Sequence, residues 1–67
     1  MIFITKLNDK QIVINCELIL TVESTPDTTI TMTGGQKFIA RESVDDIVSS
    51  VIEYKRQVIR SNENLGG

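Results

Sequence analysis

The stretch Glu23-Ser-Thr-Pro-Asp-Thr-Thr-Ile-Thr-Met-Thr-Gly-Gly-Gln-Lys-Phe38 sets two turn signals around one short alternating segment. Pro26 holds φ at about −65° and suits the second position of a turn, while Asp27 can bond back to nearby backbone donors. Residues 28–33 then alternate Thr29, Thr31 and Thr33 against Ile30 and Met32, the period-2 pattern of a strand. Gly34-Gly35 supplies the positive φ values that a two-residue type I′ turn demands. Residues 36–40 return as the next strand. The register follows from the requirement that Ile30 and Phe38 face one core. Two tight turns in succession predict a meander.

Outward from this stretch the same reading continues. Residues 1–7 form a β-branched and aromatic strand, Asn8-Asp9 a two-residue hairpin turn, and residues 11–15 the returning strand. Asn15-Cys16-Glu17 is a corner. Residues 18–23 follow as a third strand, with Leu18, Leu20 and Val22 on one face and Ile19, Thr21 and Glu23 on the other. After Arg41 the apolar period changes to that of a helix, through Val44, Ile47, Val48, Val51, Ile52, Tyr54, Val58 and Ile59. Ser43 is its N-cap, Asp45 and Asp46 suit its first turn, and Lys55, Arg56 and Arg60 suit its C-terminal end. The expected fold is α+β: a small antiparallel five-stranded meander followed by one C-terminal amphipathic helix over 43–60. Residues 1–60 form a single domain, and 61–67 a flexible polar tail.

A domain of 67 residues buries only about 60% of its unfolded surface and is marginal without help. Cys16 is the single cysteine and there is no histidine, which excludes an internal disulfide and disfavours a structural zinc site. Oligomerisation remains as the source of added stability. Apolar residues also fall on more than one surface, against the alternation of a sheet with one solvated face. Ile19, Ile39, Val44, Val51, Ile52, Val58 and Ile59 are therefore the expected interface of a homo-oligomer, a dimer or trimer.

Lacking histidine, the chain has neither the commonest general base nor the usual activator of serine or cysteine. Cys16 beside Glu17 reads as a small hydrophobe at a strand corner. Gly34-Gly35 has no lysine-serine pair after it and is no phosphate loop. Asp45 and Asp46 are explained by the helix dipole. No enzymatic activity, metal or cofactor is expected. A net charge of −2, a pI of about 4.9 and only three aromatics (Phe3, Phe38 and Tyr54) argue against a nucleic-acid surface. The apolar run at 1–4 falls short of the roughly 7–15 residues of a signal h-region, and nothing approaches the ~20 of a membrane span. A cytoplasmic protein without direct membrane insertion is expected.

Several short motifs occur in a fixed order: Leu7-Asn8-Asp9, Ile14-Asn15 with Glu17-Leu18, the run from Pro26 to Met32 with Gly34-Gly35 and Lys37-Phe38, Glu42-Ser43-Val44, and Glu53-Tyr54-Lys55-Arg56. Together they resemble the flagellar FlbD family, also called the swarming motility protein SwrD family, over roughly residues 2–56. Two positions depart from its pattern: Asp9, where the family usually carries glycine, and Gly34, where it often carries asparagine. The first implies a costlier turn; the second preserves the turn. The resemblance implies a bacterial cytoplasmic accessory of the flagellum, supporting swarming and motor power near the basal body or stator. The exposed candidates for such a contact are Pro26, Asp27, Thr28, Lys37, Arg41, Glu42, Lys55 and Arg56.

A competing resemblance is to the carbon storage regulator family of small dimeric RNA-binding proteins, through residues 1–6 and Ala40-Arg41-Glu42. The acidic pI, the long helix and the Thr25–Thr28 turn stand against it.

Overall fold

The computed structural model describes the backbone of residues 1–66 and the side chains of residues 1–60. Its elements are β1 (Ile2–Thr5), β2 (Gln11–Ile14), a short 3-10 turn (Cys16–Leu18), β3 (Ile19–Glu23), β4 (Thr28–Met32), β5 (Lys37–Ala40) and α1 (Val44–Gly66). The α+β class and the single C-terminal helix match the sequence reading. The helix backbone continues past the expected end at Arg60. The expected tail at 61–67 lies outside the residues whose side chains are described.

The single five-stranded meander is corrected to two sheets, a β1–β2 hairpin and a three-stranded β3–β4–β5 meander. The corner after β2 separates them. Asn15 Oδ1 accepts from the Glu17 N–H at 3.0 Å, and the Asn15 carbonyl accepts from the Leu18 N–H at 3.0 Å. That 3-10 turn redirects the chain before β3 can pair with β2. The sheets meet elsewhere, at the end of β5, where Lys6 bridges Ala40 and the Arg41 N–H donates to the Thr5 carbonyl at 2.8 Å.

Both tight hairpins have one design. In the first, the Lys6 carbonyl accepts from the Asp9 N–H at 2.9 Å and the Lys6 N–H donates to the Lys10 carbonyl at 2.9 Å. In the second, Met32 repeats this with Gly35 at 2.9 Å and Gln36 at 2.8 Å. Each is a three-residue loop whose last residue alone has positive φ, 66° at Asp9 and 92° at Gly35. The expected two-residue turns, with both Gly34 and Gly35 at positive φ, are thereby corrected. At the remaining turn the Thr25–Pro26 peptide is cis.

The face assignment in β3 is also corrected. Ile19 pairs with Met32 and Thr21 with Thr31, so Leu20 is the extra residue of a β-bulge. The bulge lets Ile19 and Val22 pack against the same core while Leu20 and Thr21 point outward, Leu20 being 65% exposed. Simple alternation places Ile19 and Val22 on opposite faces. In β4 and β5 alternation holds, with Ile30 opposite Phe38.

The core collects Ile2, Ile4 and Ile14 from the hairpin, Cys16 from the 3-10 turn, Ile30, Met32 and Ala40 from the meander, and Ile47 from α1. Ile4, Ile30 and Ile47 are its most enclosed large side chains. Ser43 caps α1 as its residue type predicts, its Oγ accepting from the Asp46 N–H at 3.1 Å. Val51 and Tyr54 pack against the core, and every described residue of α1 after Tyr54 is exposed. The helix therefore projects, and the molecule measures 45 × 23 × 19 Å.

Candidate interaction surfaces

The strongest polar arrangement is the joint between the two sheets. Glu42 lies in the segment that crosses from β5 to α1, and its carboxylate reaches back to β1. Oε1 accepts from the Thr5 N–H at 2.8 Å, and Oε2 accepts from the same N–H at 3.1 Å and from Thr5 Oγ1 at 2.8 Å. Desolvation alone raises the Glu42 carboxyl. The Thr5 backbone and hydroxyl donors, with the residue's own N–H, outweigh it and hold the carboxyl below its ordinary value. Arg41 turns the other way along the first hairpin loop. Its guanidinium donates to the Leu7 carbonyl at 2.7 Å and pairs with Asp9 Oδ1 at 2.7 Å.

Arg41 and Glu42, expected on a docking rim, thus have internal partners. Thr28, in the same set, is buried at the start of β4. Pro26 and Asp27 are exposed beside it, as are Lys37 on β5 and Lys55 and Arg56 on α1. The strand and helix positions scatter these side chains over more than one edge rather than gathering them.

Of the apolar residues expected at an interface, Ile39, Ile52, Val58 and Ile59 are exposed, whereas Val44 is half-buried and Ile19 and Val51 lean on the core. A groove between β3 and α1 is lined by Cys16, Ile19, Val22, Val48, Val51 and Ile52. Among the described residues, seven exposed apolar side chains escaped the sequence reading of an interface: Met1, Phe3, Leu7, Val13, Leu18, Leu20 and Val48. Phe3 stands opposite Val13 on the outer face of the hairpin and is 67% exposed. Its signal was present in the alternation of residues 1–4, where Ile2 and Ile4 point inward. Leu20 had no such signal, because a bulge leaves no mark in the period.

Among the described residues there is no group of three or more Cys, Asp or Glu placed to hold a metal ion. No described helix is long and apolar enough to cross a membrane. Cys16 is a buried free thiol within the core.

What remains is a small α+β domain, pinned together across its two sheets and carrying apolar side chains on its outside. The chain belongs to the FlbD family of flagellar and swarming motility proteins, whose family model matches residues 1–59. No curated protein and no solved structure matches it.

Proposed function

We propose that the protein is a non-enzymatic accessory of the bacterial flagellum that supports swarming and motor power by protein–protein contact near the basal body or stator. The observation that carries this reading is the family match over residues 1–59, which spans every strand and most of the helix. The exposed apolar surface and the dispersed polar groups suit binding better than catalysis, and the Thr5 hydroxyl that bonds the Glu42 carboxylate serves to join the two sheets.

In this reading the protein acts from the cytoplasm as a homo-oligomer, peripheral to the membrane at the motor. Several copies of one weak contact bind a symmetric machine through avidity, without requiring a tight single site. The Pro26-Asp27 turn, Lys37, Lys55 and Arg56 are the exposed candidates available for that contact.

Affinity isolation of the tagged protein from cells carrying intact motors tests the reading. Co-isolation of basal-body or stator components, lost on replacing Pro26, Asp27 and Lys37 together by alanine, is the expected result. Isolation free of every flagellar component would contradict it.

A further inference from the structure

We propose that the first hairpin loop and the adjoining edge of β5 form a docking surface for anionic lipid headgroups. Four of the chain's seven lysines and arginines lie in residues 6–10 and 37–41, with only one of its nine aspartates and glutamates. The fold joins these two segments. Lys6 bridges Ala40, and Lys6, Leu7, Lys37 and Ile39 line one open cleft. Lys10 completes the set from the far side of the loop, its carbonyl accepting from the Lys6 N–H at 2.9 Å. That bond sets Lys6 and Lys10 directly opposite each other across the hairpin, where like charges repel. The nearest carboxylates in sequence are engaged elsewhere: Asp9 pairs with Arg41, and Glu42 faces Thr5. Among the described residues none of the three lysines forms an ion pair.

The kind of cation decides the partner. Recognition of one particular carboxylate or phosphate favours the planar fork of arginine. Arg41 is the one arginine in the two segments, and its guanidinium is held by the Leu7 carbonyl and Asp9. What is left is three ammonium groups on flexible stems around the exposed Leu7 and Ile39. Such a set suits a broad negative field with an apolar layer beneath it, the chemistry of an anionic bilayer surface. Leu7 then rests at headgroup depth with the lysines at the level of the phosphates. Its carbonyl is already hydrogen-bonded by Arg41 at 2.7 Å, so no bare main-chain acceptor leaves water there.

The chain's net charge of −2 does not oppose this docking. Exposed charges more than about 8–10 Å apart are largely screened, and the surface acts through its local excess of cations. The inference deepens the peripheral membrane location of the proposed function. Lys37 is also a candidate for the motor contact, so the test keeps it unchanged.

Sedimentation of the purified full chain with lipid vesicles tests the proposal, at about 0.05 M and about 0.5 M salt. Vesicles of phosphatidylcholine with about one-third phosphatidylglycerol are expected to bind the parent protein at the lower salt only, and vesicles of phosphatidylcholine alone at neither. Lys10 is exposed, and Lys10→Gln should weaken the binding roughly fivefold without disturbing the fold. Lys6→Glu combined with Lys10→Glu should abolish it, and Leu7→Ser should weaken it, each with the circular dichroism of the parent. Soluble polyglutamate is the probe for an acidic protein partner. A parent that binds polyglutamate and not the anionic vesicles would overturn the proposal. So would equal binding to both kinds of vesicle, no binding at the lower salt, or binding indifferent to Lys10→Gln and Leu7→Ser. None of these results touches the flagellar reading, which motor co-isolation decides separately.

Discussion

The Glu42 carboxylate grips Thr5 by both of its hydrogen-bond donors, the backbone N–H at 2.8 Å and the hydroxyl at 2.8 Å, across 37 positions of sequence. This is the polar counterpart of the Lys6–Ala40 bridge, and it ties the first hairpin to the start of the helix. Glu42→Ala is expected to cost about 1–2 kcal/mol, since charge-assisted bonds exceed ordinary ones and the site is partly solvated. Thr5→Val should cost less, because it removes only the hydroxyl donor. Urea unfolding of the two variants checks the order.

The same pair sets a pH dependence. Glu42 has its carboxyl lowered in the folded state, so it is protonated less readily folded than unfolded. Its contribution is complete above the unfolded carboxyl value, at about pH 4.3 and higher, and is lost as pH falls through the lower folded value. Stability of the parent protein should therefore drop more steeply on acidification than that of Glu42→Gln. Parallel acid slopes would refute this role for the carboxylate.

Asp9 carries the positive φ of the first hairpin loop, where Gly35 carries that of the second. Its ion pair with Arg41 is exposed on both sides and is worth about 0–1 kcal/mol. Glycine and alanine both remove the carboxylate, so comparing them isolates the backbone. Asp9→Gly should be more stable than Asp9→Ala by about 1 kcal/mol in thermal or urea unfolding.

The bulge in β3 makes neighbours unequal. Leu20→Ser is expected to change stability by no more than about 0.5 kcal/mol, as for most exposed sites. Val22→Ala should cost about 1–2 kcal/mol, because Val22 packs against the core. Strict alternation would have made Leu20 and Val22 equivalent, so the contrast tests the bulge directly.

These positions also show what was legible in the chain. The β4–β5 pairing, the Ser43 cap and the helix were readable because each rests on local patterns: alternation, a capping hydroxyl and a 3.6-residue period. The split into two sheets was not, since it depends on Asn15 folding its side chain onto the next turn. Both hairpin loops were correctly placed, but their length was not, because one positive-φ residue serves a three-residue loop as two serve a shorter one. Of the candidate contact residues, Arg41 and Glu42 proved to have internal partners, which only the spatial closeness of the first hairpin reveals. The family itself was legible in the order of its short motifs, and the match over residues 1–59 bears it out.

The proposed role, strengthening a flagellar motor that is already built, separates torque from assembly. Deletion of its gene, with filaments counted on the same cells whose motor torque is read from a rotating bead, distinguishes the two. Unchanged filament number with reduced torque is expected, restored by the parent protein and not by the Pro26, Asp27 and Lys37 triple-alanine variant. Loss of the filaments themselves, or full torque without the protein, would contradict it.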